Sequence, residues 1–131
     1  MAKRKQKNKP PRSLLVVEDE PNIVVSLRFL MERAGFEVRV ASDGEAALRA
    51  IEAQHPDVVL LDVMLPERDG YSVCRAIREQ PDCADVRIVM LTAKGRAEDR
   101  DMGMAAGADE YVVKPFSTRD LVQTVLTLVE G

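Results

Sequence analysis

Four aliphatic runs in the sequence are each followed directly by polar side chains that could take part in chemistry. The first is followed by Glu18 and Asp19, and the later ones by Asp62, Thr92 and Lys114. A single acidic residue in such a place is usually a helix cap or part of a solvated loop, but that interpretation does not explain the whole set. Three carboxylates with a lysine and a hydroxyl predict a site for a divalent cation and a phosphoryl group.

Converging carboxylates would need a cation between them. Like charges about 4 Å apart repel by roughly 4 kcal/mol at an effective dielectric constant of about 20. Mg²⁺ often uses only one or two carboxylates plus a phosphate, so the set favours Mg²⁺ over a closed Ca²⁺ cage. Zinc is disfavoured because His55 is the only histidine and Cys74 and Cys83 lack ligand spacing. In such a site a carboxylate can act as the nucleophile and form an aspartyl-phosphate.

Alternating strands and helices must position these groups. The predicted strands are Leu14–Val17, Val38–Ala41, Val58–Leu61, Ile88–Leu91 and Tyr111–Val113. Near-continuous aliphatic runs are typical of strands buried on both faces of a parallel sheet, whereas the alternation of Val38, Arg39 and Val40 suits an edge strand. The pattern predicts an α/β fold with a doubly wound five-stranded parallel sheet. Ligands of such sheets bind at the carboxyl ends of the strands.

Several residues mark where the helices begin and end. The stretch from Ser42 to Glu45 fits a capping box at the start of the second helix, and Ser117 marks the start of the last one. Gly35 and Gly107 are predicted to end the first and fourth helices.

The charge distribution separates the N-terminus from the rest of the chain. Residues 1–12 carry six basic side chains and no acidic one, and the remainder holds 13 basic and 22 acidic residues. We predict a disordered basic arm over residues 1–12 and one domain over residues 13–131. The arm is either a solubilising tail or a contact for nucleic acid, membrane or an acidic partner, or it is foreign to the natural chain. The acidic body does not favour nucleic-acid binding by the domain.

Targeting signals are not evident in the sequence. No apolar run approaches the ~20 residues that span a bilayer, and the charged N-terminus lacks the apolar stretch of a secretory signal. Two cysteines do not make a disulfide framework. The sequence therefore predicts a cytoplasmic protein without membrane insertion.

From about Ser13 to Val129 the sequence resembles the receiver domain of bacterial two-component response regulators. The motifs that carry the resemblance are Val16-Val17-Glu18-Asp19-Glu20, Leu60-Leu61-Asp62-Val63-Met64-Leu65-Pro66, Asp69-Gly70-Tyr71, Leu91-Thr92-Ala93 and Lys114-Pro115-Phe116. Each motif alone is weak evidence, but all of them in order at strand ends are specific. The resemblance implies a flavodoxin-like (βα)5 fold with strand order 2-1-3-4-5 and a cis Lys114–Pro115 bond.

The resemblance also implies how the phosphoacceptor site works. Asp62 would accept a phosphoryl group from a histidine kinase or a phosphotransfer protein. Asp19, Asp62 and the backbone carbonyl of Met64 would ligate Mg²⁺, and Glu18 would act mostly through water. Lys114 would pair with the phosphoryl oxygens. The domain would catalyse its own phosphorylation and dephosphorylation, so it would not be an enzyme for an external substrate.

A conformational switch is the second implication of the resemblance. Thr92 would move to bind the phosphoryl group and Tyr111 would rotate inward behind it. The face that changes would comprise helix 4, strand 5 and helix 5, roughly Arg96–Val129, and would bind a partner or a second copy of the chain.

The sequence also suggests two alternatives to a stand-alone phosphorylation switch. The motifs around Lys94 and Lys114 look like those of receivers coupled to winged-helix domains, so the chain would be the receiver half of a DNA-binding transcription factor. An Asp-nucleophile phosphatase of the haloacid dehalogenase type is disfavoured because Met64 stands where such enzymes need a second aspartate.

Overall fold

The computed structural model describes residues 12–130 of the chain. The predicted arm lies outside the described residues except for Arg12, whose carbonyl oxygen accepts a hydrogen bond from the Glu37 N–H at 2.8 Å. Gly131 also lies outside them.

A parallel five-stranded sheet forms the centre of the domain, with the order β2-β1-β3-β4-β5. Its strands are β1 (Ser13–Val17), β2 (Glu37–Ala41), β3 (Val58–Asp62), β4 (Arg87–Thr92) and β5 (Glu110–Val113). The predicted sheet type and strand order are confirmed. As expected for an edge strand, β2 is only partly buried, with Val38 and Ala41 buried and Val40 exposed, whereas all residues of β1 and β3 are buried. The predicted alternation along β2 is not observed, because Val38 and Val40 differ in burial.

Helices cover both faces of the sheet, so the fold is doubly wound. They are α1 (Pro21–Arg33), α2 (Gly44–Ala53), α3 (Gly70–Glu79), α4 (Ala97–Ala106) and α5 (Thr118–Glu130), with a 3₁₀ turn at Pro81–Cys83. Side chains of α1 and α5 pack with one set of alternate strand residues, and side chains of α2, α3 and α4 pack with the other set. Successive strand side chains point to opposite faces, which is why continuous aliphatic runs suit this fold.

The predicted boundaries at the N-cap of α2 and at the ends of β3 and β4 were each wrong by one residue. The N-cap of α2 is Asp43, whose Oδ1 accepts the Ala46 N–H at 2.8 Å, so the predicted capping box from Ser42 to Glu45 does not form. Strands β3 and β4 include Asp62 and Thr92, which were expected just after them, because ladder pairing continues to these residues.

The two glycines predicted to end helices do lie at helix ends. Gly107 ends α4 with φ +111°, and Gly35 follows α1 with φ +101°. Such positive φ values are easily reached by glycine and strained for other residues. Across residues 12–130, none of the helices combines the length and the apolar character that a membrane crossing requires.

The Cys74 thiol lies fully buried on α3 and donates to the Ala106 carbonyl at 3.4 Å. Burial raises its pKa to about 11. We expect Cys74 in the folded protein to react with a thiol reagent at pH 8 at least about a hundredfold more slowly than a free cysteine, because its thiolate fraction falls by about that factor. Mass spectrometry after timed alkylation measures this rate.

The same pKa shift has a consequence for stability at high pH. A thiol that ionises less readily when folded stabilises the protein below its unfolded pKa of 9.0, and this contribution is lost as the pH rises towards about 11. Urea unfolding of wild type and Cys74→Ala at pH 8 and pH 11 isolates the contribution. A stability difference between the two proteins that stays constant over this range would contradict the assignment.

Candidate functional site

The carboxyl ends of two adjacent strands bring the predicted carboxylates together. Glu18 and Asp19 follow β1, and Asp62 ends the neighbouring strand β3. One carboxylate oxygen from each of the three residues lies within 4.8 Å of the others. The pairing of β1 with β3 makes this proximity a direct result of the strand order.

Glu18 is the most deeply buried residue of this cluster, with 3% of its surface exposed. Its Oε2 accepts the N–H groups of Asp19 and Glu20 at 3.1 and 3.2 Å, and its Oε1 accepts from Lys114 Nζ at 3.1 Å. Burial raises the pKa of the Glu18 carboxyl above its ordinary value; the Asp62 charge adds to the increase, and the Glu20 amide and Lys114 oppose it. Both oxygens of Glu18 are therefore already engaged within the protein.

Asp62 is also buried, with 7% of its surface exposed. Its Oδ1 accepts the Met64 N–H at 3.1 Å, and its Oδ2 lies 3.7 Å from Lys114 Nζ. Lys114, which follows β5, thus contacts Glu18 and Asp62 at once. Among residues 12–130 this ammonium group pairs with two of the three clustered carboxylates, so the cluster has more acidic than basic groups.

This donor set fits Mg²⁺. Asp19 is exposed to solvent, unlike the other two carboxylates, so it can reach a partly hydrated ion. The three carboxylate oxygens lie within 4.8 Å of one another, which is close to the separation of at most about 4.2 Å between oxygens bound to one ion at ~2.1 Å. A divalent cation would also compensate the negative charge that Lys114 leaves.

The loop from β3 to α3 shapes one wall of the site. The Gly70 N–H donates to the Val63 carbonyl at 2.8 Å, and a Cβ at Gly70 would collide with the Asp62 carbonyl oxygen. Glu67 has φ +68°, with the N–H of Arg68 bonded to the Pro66 carbonyl at 2.7 Å, so the backbone makes a strained three-residue turn. The missing side chain of Gly70 lets this loop fold back on the end of β3.

Thr92 lies at the end of β4 and Tyr111 lies in β5, on the side of the sheet away from β1. Thr92 is fully buried at the end of β4, and its Oγ1 accepts the Lys94 N–H at 3.1 Å. The Tyr111 hydroxyl donates to the carbonyl of the same residue, Lys94, at 2.8 Å. Within residues 12–130, no hydrogen bond joins either residue to the carboxylate cluster. The Lys94 backbone instead links these two hydroxyl groups.

Two cavities flank the cluster. One of about 520 Å³ lies between the β3–α3 loop and α4, and its walls include Asp19, Met64 and Lys94. The other, of about 330 Å³, is an apolar groove between α1 and α5 that ends at Lys114 and Phe116. The first cavity thus borders the cluster at Asp19, and the second borders the Lys114 side chain.

Two residues near the site were missed by the sequence analysis. The Tyr71 hydroxyl bonds with the carbonyl of Asp99 and with the Tyr111 hydroxyl, and Gly103 leaves the space that the Tyr111 ring fills. A tyrosine in the first turn of a core-facing helix is a weak signal, since its hydroxyl partner lies far along the chain.

The cis Lys114–Pro115 bond implied by the resemblance is confirmed. It lies directly after β5, in the segment that carries Lys114 to the cluster.

Comparison with known proteins identifies the family. The sequence model of the response regulator receiver domain matches residues 14–126. The chain is 46% identical over 110 residues to the alkaline phosphatase synthesis transcriptional regulatory protein PhoP of Bacillus subtilis (strain 168), covering 84% of this chain and 45% of that protein. It spans about half the length of the curated relatives it matches.

Solved structures agree with the sequence relatives. A putative response regulator from Chloroflexus aurantiacus J-10-fl has a TM-score of 0.89 and 38% identity, with coverage of 93% of this chain and 100% of that one. The receiver domain of sensor histidine kinase PA1611 from Pseudomonas aeruginosa PAO1, which has a magnesium ion coordinated in its active-site cleft, has a TM-score of 0.86 and 33% identity, with coverage of 93% and 100%. The acidic pocket of Glu18, Asp19 and Asp62, at the carboxyl ends of a sheet of this order, is typical of the phosphoacceptor site of such domains. The chain belongs to the response regulator receiver domain family.

Proposed function

We propose that the chain accepts a phosphoryl group on Asp62 and acts as a phosphorylation-controlled switch. The observation that carries this proposal is the buried Asp62 carboxylate, which lies beside two further carboxylates and 3.7 Å from Lys114. A carboxylate in this setting is held in place for attack, and the charge on the incoming oxygens meets a fixed cation.

The reaction is a phosphoryl transfer to a carboxylate oxygen. A bond forms between Asp62 and phosphorus while the bond from phosphorus to the leaving group breaks. The leaving group, an imidazole nitrogen of a phosphohistidine or the acetate oxygen of acetyl phosphate, keeps the electron pair. Lys114 stabilises the negative phosphoryl oxygens, and the Met64 N–H holds the Asp62 carboxylate in place.

Mg²⁺ is part of the proposal. Asp19 and Asp62 would hold the ion with the backbone carbonyl of Met64, and Glu18 would act through water because both of its oxygens are engaged. When bound, the ion supplies positive charge for the transferring phosphoryl group.

A histidine kinase or a phosphotransfer protein is the proposed phosphodonor. A protein donor has to bring an imidazole to Asp62 at the carboxyl edge of the sheet, where Lys114 also lies. Lys114 also lines the apolar groove between α1 and α5. Val25 and Phe29 on the outer side of α1 are 67% and 62% exposed. These apolar residues support α1 as the docking surface.

The output surface is proposed to comprise α4, β5 and α5. Met102 and Met104 on α4 and Val113 on the edge strand β5 are exposed apolar side chains, which suits contact with a partner or a second copy of the chain. Thr92 and Tyr111 would couple this face to the phosphoryl group through the Lys94 backbone.

A second candidate is the receiver part of a DNA-binding transcription factor. The match to PhoP, named as a transcriptional regulatory protein, and the half-length coverage support it. Both candidates place the receiver domain at residues 13–131 in the cytoplasm, and both use the same chemistry at Asp62.

Incubation with acetyl phosphate and Mg²⁺ tests the proposal. We expect the intact mass of the protein to increase by one phosphoryl group, and hydroxylamine to remove it as expected for an acyl phosphate. Peptide mapping should locate the modification at Asp62. Modification of a histidine or a serine alone would contradict the proposal.

A further inference from the structure

The only two tyrosines of the chain form a buried hydroxyl pair. Tyr71 lies in the first turn of α3 and Tyr111 in β5, and their hydroxyl oxygens are 3.3 Å apart. The exposed fractions of the two side chains are 5% and 3%. Burial of both hydroxyl groups makes their hydrogen bonds costly to lose.

Counting the hydroxyl hydrogens shows what Tyr71 contributes. The Tyr111 hydroxyl donates its single hydrogen to the Lys94 carbonyl at 2.8 Å, which leaves its oxygen as an acceptor. The Tyr71 hydroxyl has two acceptors within reach, the Asp99 carbonyl at 3.1 Å and the Tyr111 oxygen at 3.3 Å. Tyr71 has one hydroxyl hydrogen, which it donates to the Asp99 carbonyl or shares between these two acceptors. With the Tyr111 hydrogen directed at Lys94, only Tyr71 can supply a hydrogen to the contact between the two hydroxyl groups.

The Tyr111 ring fits into a gap that a glycine leaves open. A Cβ at Gly103 would stand 2.7 Å from Cδ1 of the ring and 3.1 Å from Sδ of Met90. Burial raises the pKa of the Tyr111 phenol above its ordinary value, so the ring is buried in its neutral form. The buried orientation thus depends on the space at Gly103 and on the hydroxyl partner.

We propose that Tyr71 is a positioning residue for Tyr111: its hydroxyl group holds the Tyr111 ring in the buried orientation and ties that orientation to the first turn of α4. This path of contacts runs from Thr92 through the Lys94 backbone to Tyr111 and then to Tyr71, whose hydroxyl also lies 3.1 Å from the Asp99 carbonyl. Since Tyr111 belongs to the switch only under the proposed function, the signalling role of Tyr71 rests on that function as well.

The size of the effect follows from one hydrogen bond. Loss of a typical bond changes an equilibrium constant by about fivefold. Tyr71→Phe should therefore lower the ratio of buried to exposed Tyr111 by about this factor. If phosphorylation favours the buried orientation, linkage requires the variant to bind a phosphoryl mimic such as beryllofluoride up to about fivefold more weakly.

A double-mutant cycle tests the bond itself. Tyr71→Phe and Tyr111→Phe remove only the hydroxyl groups, singly and together, and urea unfolding gives the equilibrium constants. We expect the double variant to be about fivefold less destabilised than the product of the single effects predicts. Effects that simply multiply would overturn the proposal, because the hydroxyl groups would then not interact.

NMR of protein with carbon-13-labelled tyrosine rings tests the orientation. In Tyr71→Phe the nuclear Overhauser contacts between the Tyr111 ring and Gly103 should weaken. Contacts of wild-type strength in this variant would overturn the proposal. Ser13→Ala is the matched control, since it removes a buried hydroxyl, bonded to the Asp57 N–H at 3.3 Å, at the opposite end of the sheet. It should leave the Tyr111 contacts unchanged.

Both measurements use the free protein, so they do not depend on phosphorylation of Asp62. If Asp62 took up no phosphoryl group, the proposed function would fail while the cycle and the NMR contacts still reported on Tyr71.

Discussion

Asp62→Asn should lower covalent labelling by a small phosphodonor by at least about a thousandfold, because the variant lacks the carboxylate nucleophile. Asparagine has the same shape and keeps an oxygen that can accept the Met64 N–H, which Asp62 Oδ1 accepts at 3.1 Å. Removing one of three clustered carboxylates also reduces their repulsion. The variant should therefore be folded and at least as stable as wild type, and loss of label would reflect chemistry. Incorporation of radioactive phosphate from acetyl phosphate measures the effect.

Asp85→Asn is the matched control for this experiment. Asp85 is exposed and lies in the loop before β4, away from the carboxylate cluster. It should label at the wild-type rate. Equal labelling of Asp62→Asn and wild type would show that another residue is the acceptor, and the phosphoacceptor role of Asp62 would have to be given up.

Removal of Mg²⁺ should have the second large effect. A chelator should reduce labelling to background, and Asp19→Asn should raise the Mg²⁺ concentration needed for half-maximal labelling by on the order of a hundredfold. Loss of groups that only support a metal ligand already costs 10–100-fold in affinity, so loss of a charged ligand should cost at least as much. The exposed position of Asp19 makes it the carboxylate whose replacement disturbs the fold least.

Metal binding can also be measured without the reaction. Mg²⁺ should raise the unfolding temperature of wild type increasingly as its concentration exceeds the dissociation constant, and the same rise should need a higher concentration in Asp19→Asn. Glu20→Gln is the control, because Glu20 is exposed and its side chain caps α1 instead of joining the cluster. An Asp19→Asn protein with the Mg²⁺ requirement of wild type would exclude Asp19 as a ligand.

The positions of the reactive residues along the chain could be predicted from the sequence. Asp62 and Thr92 follow aliphatic runs, and such runs are strands of a parallel sheet. Polar residues at their ends must collect at one edge of the sheet, since parallel strands share a direction. The error of one residue at the ends of β3 and β4 left this conclusion intact, because both residues stay at the same edge.

Local boundaries were harder to predict, as the N-cap of α2 shows. Ser42 and Asp43 are both good capping residues, and the sequence offers little to choose between them. Packing of the helix against the sheet sets where its first turn begins, and the Asp43 side chain then lies within 2.8 Å of the Ala46 N–H.

By itself the sequence determined the fold class, the order of strands and helices, and the groups that reach the functional edge, because periodicity and strand ends are local properties of the chain. Only the tertiary structure decided which of those groups touch. Lys114 contacts Glu18 across 96 positions of the chain, and Tyr71 meets Tyr111 across 40. Such contacts depend on how the helices pack on the sheet and on the rotamers that this packing allows, and neither has a periodic signature in the sequence.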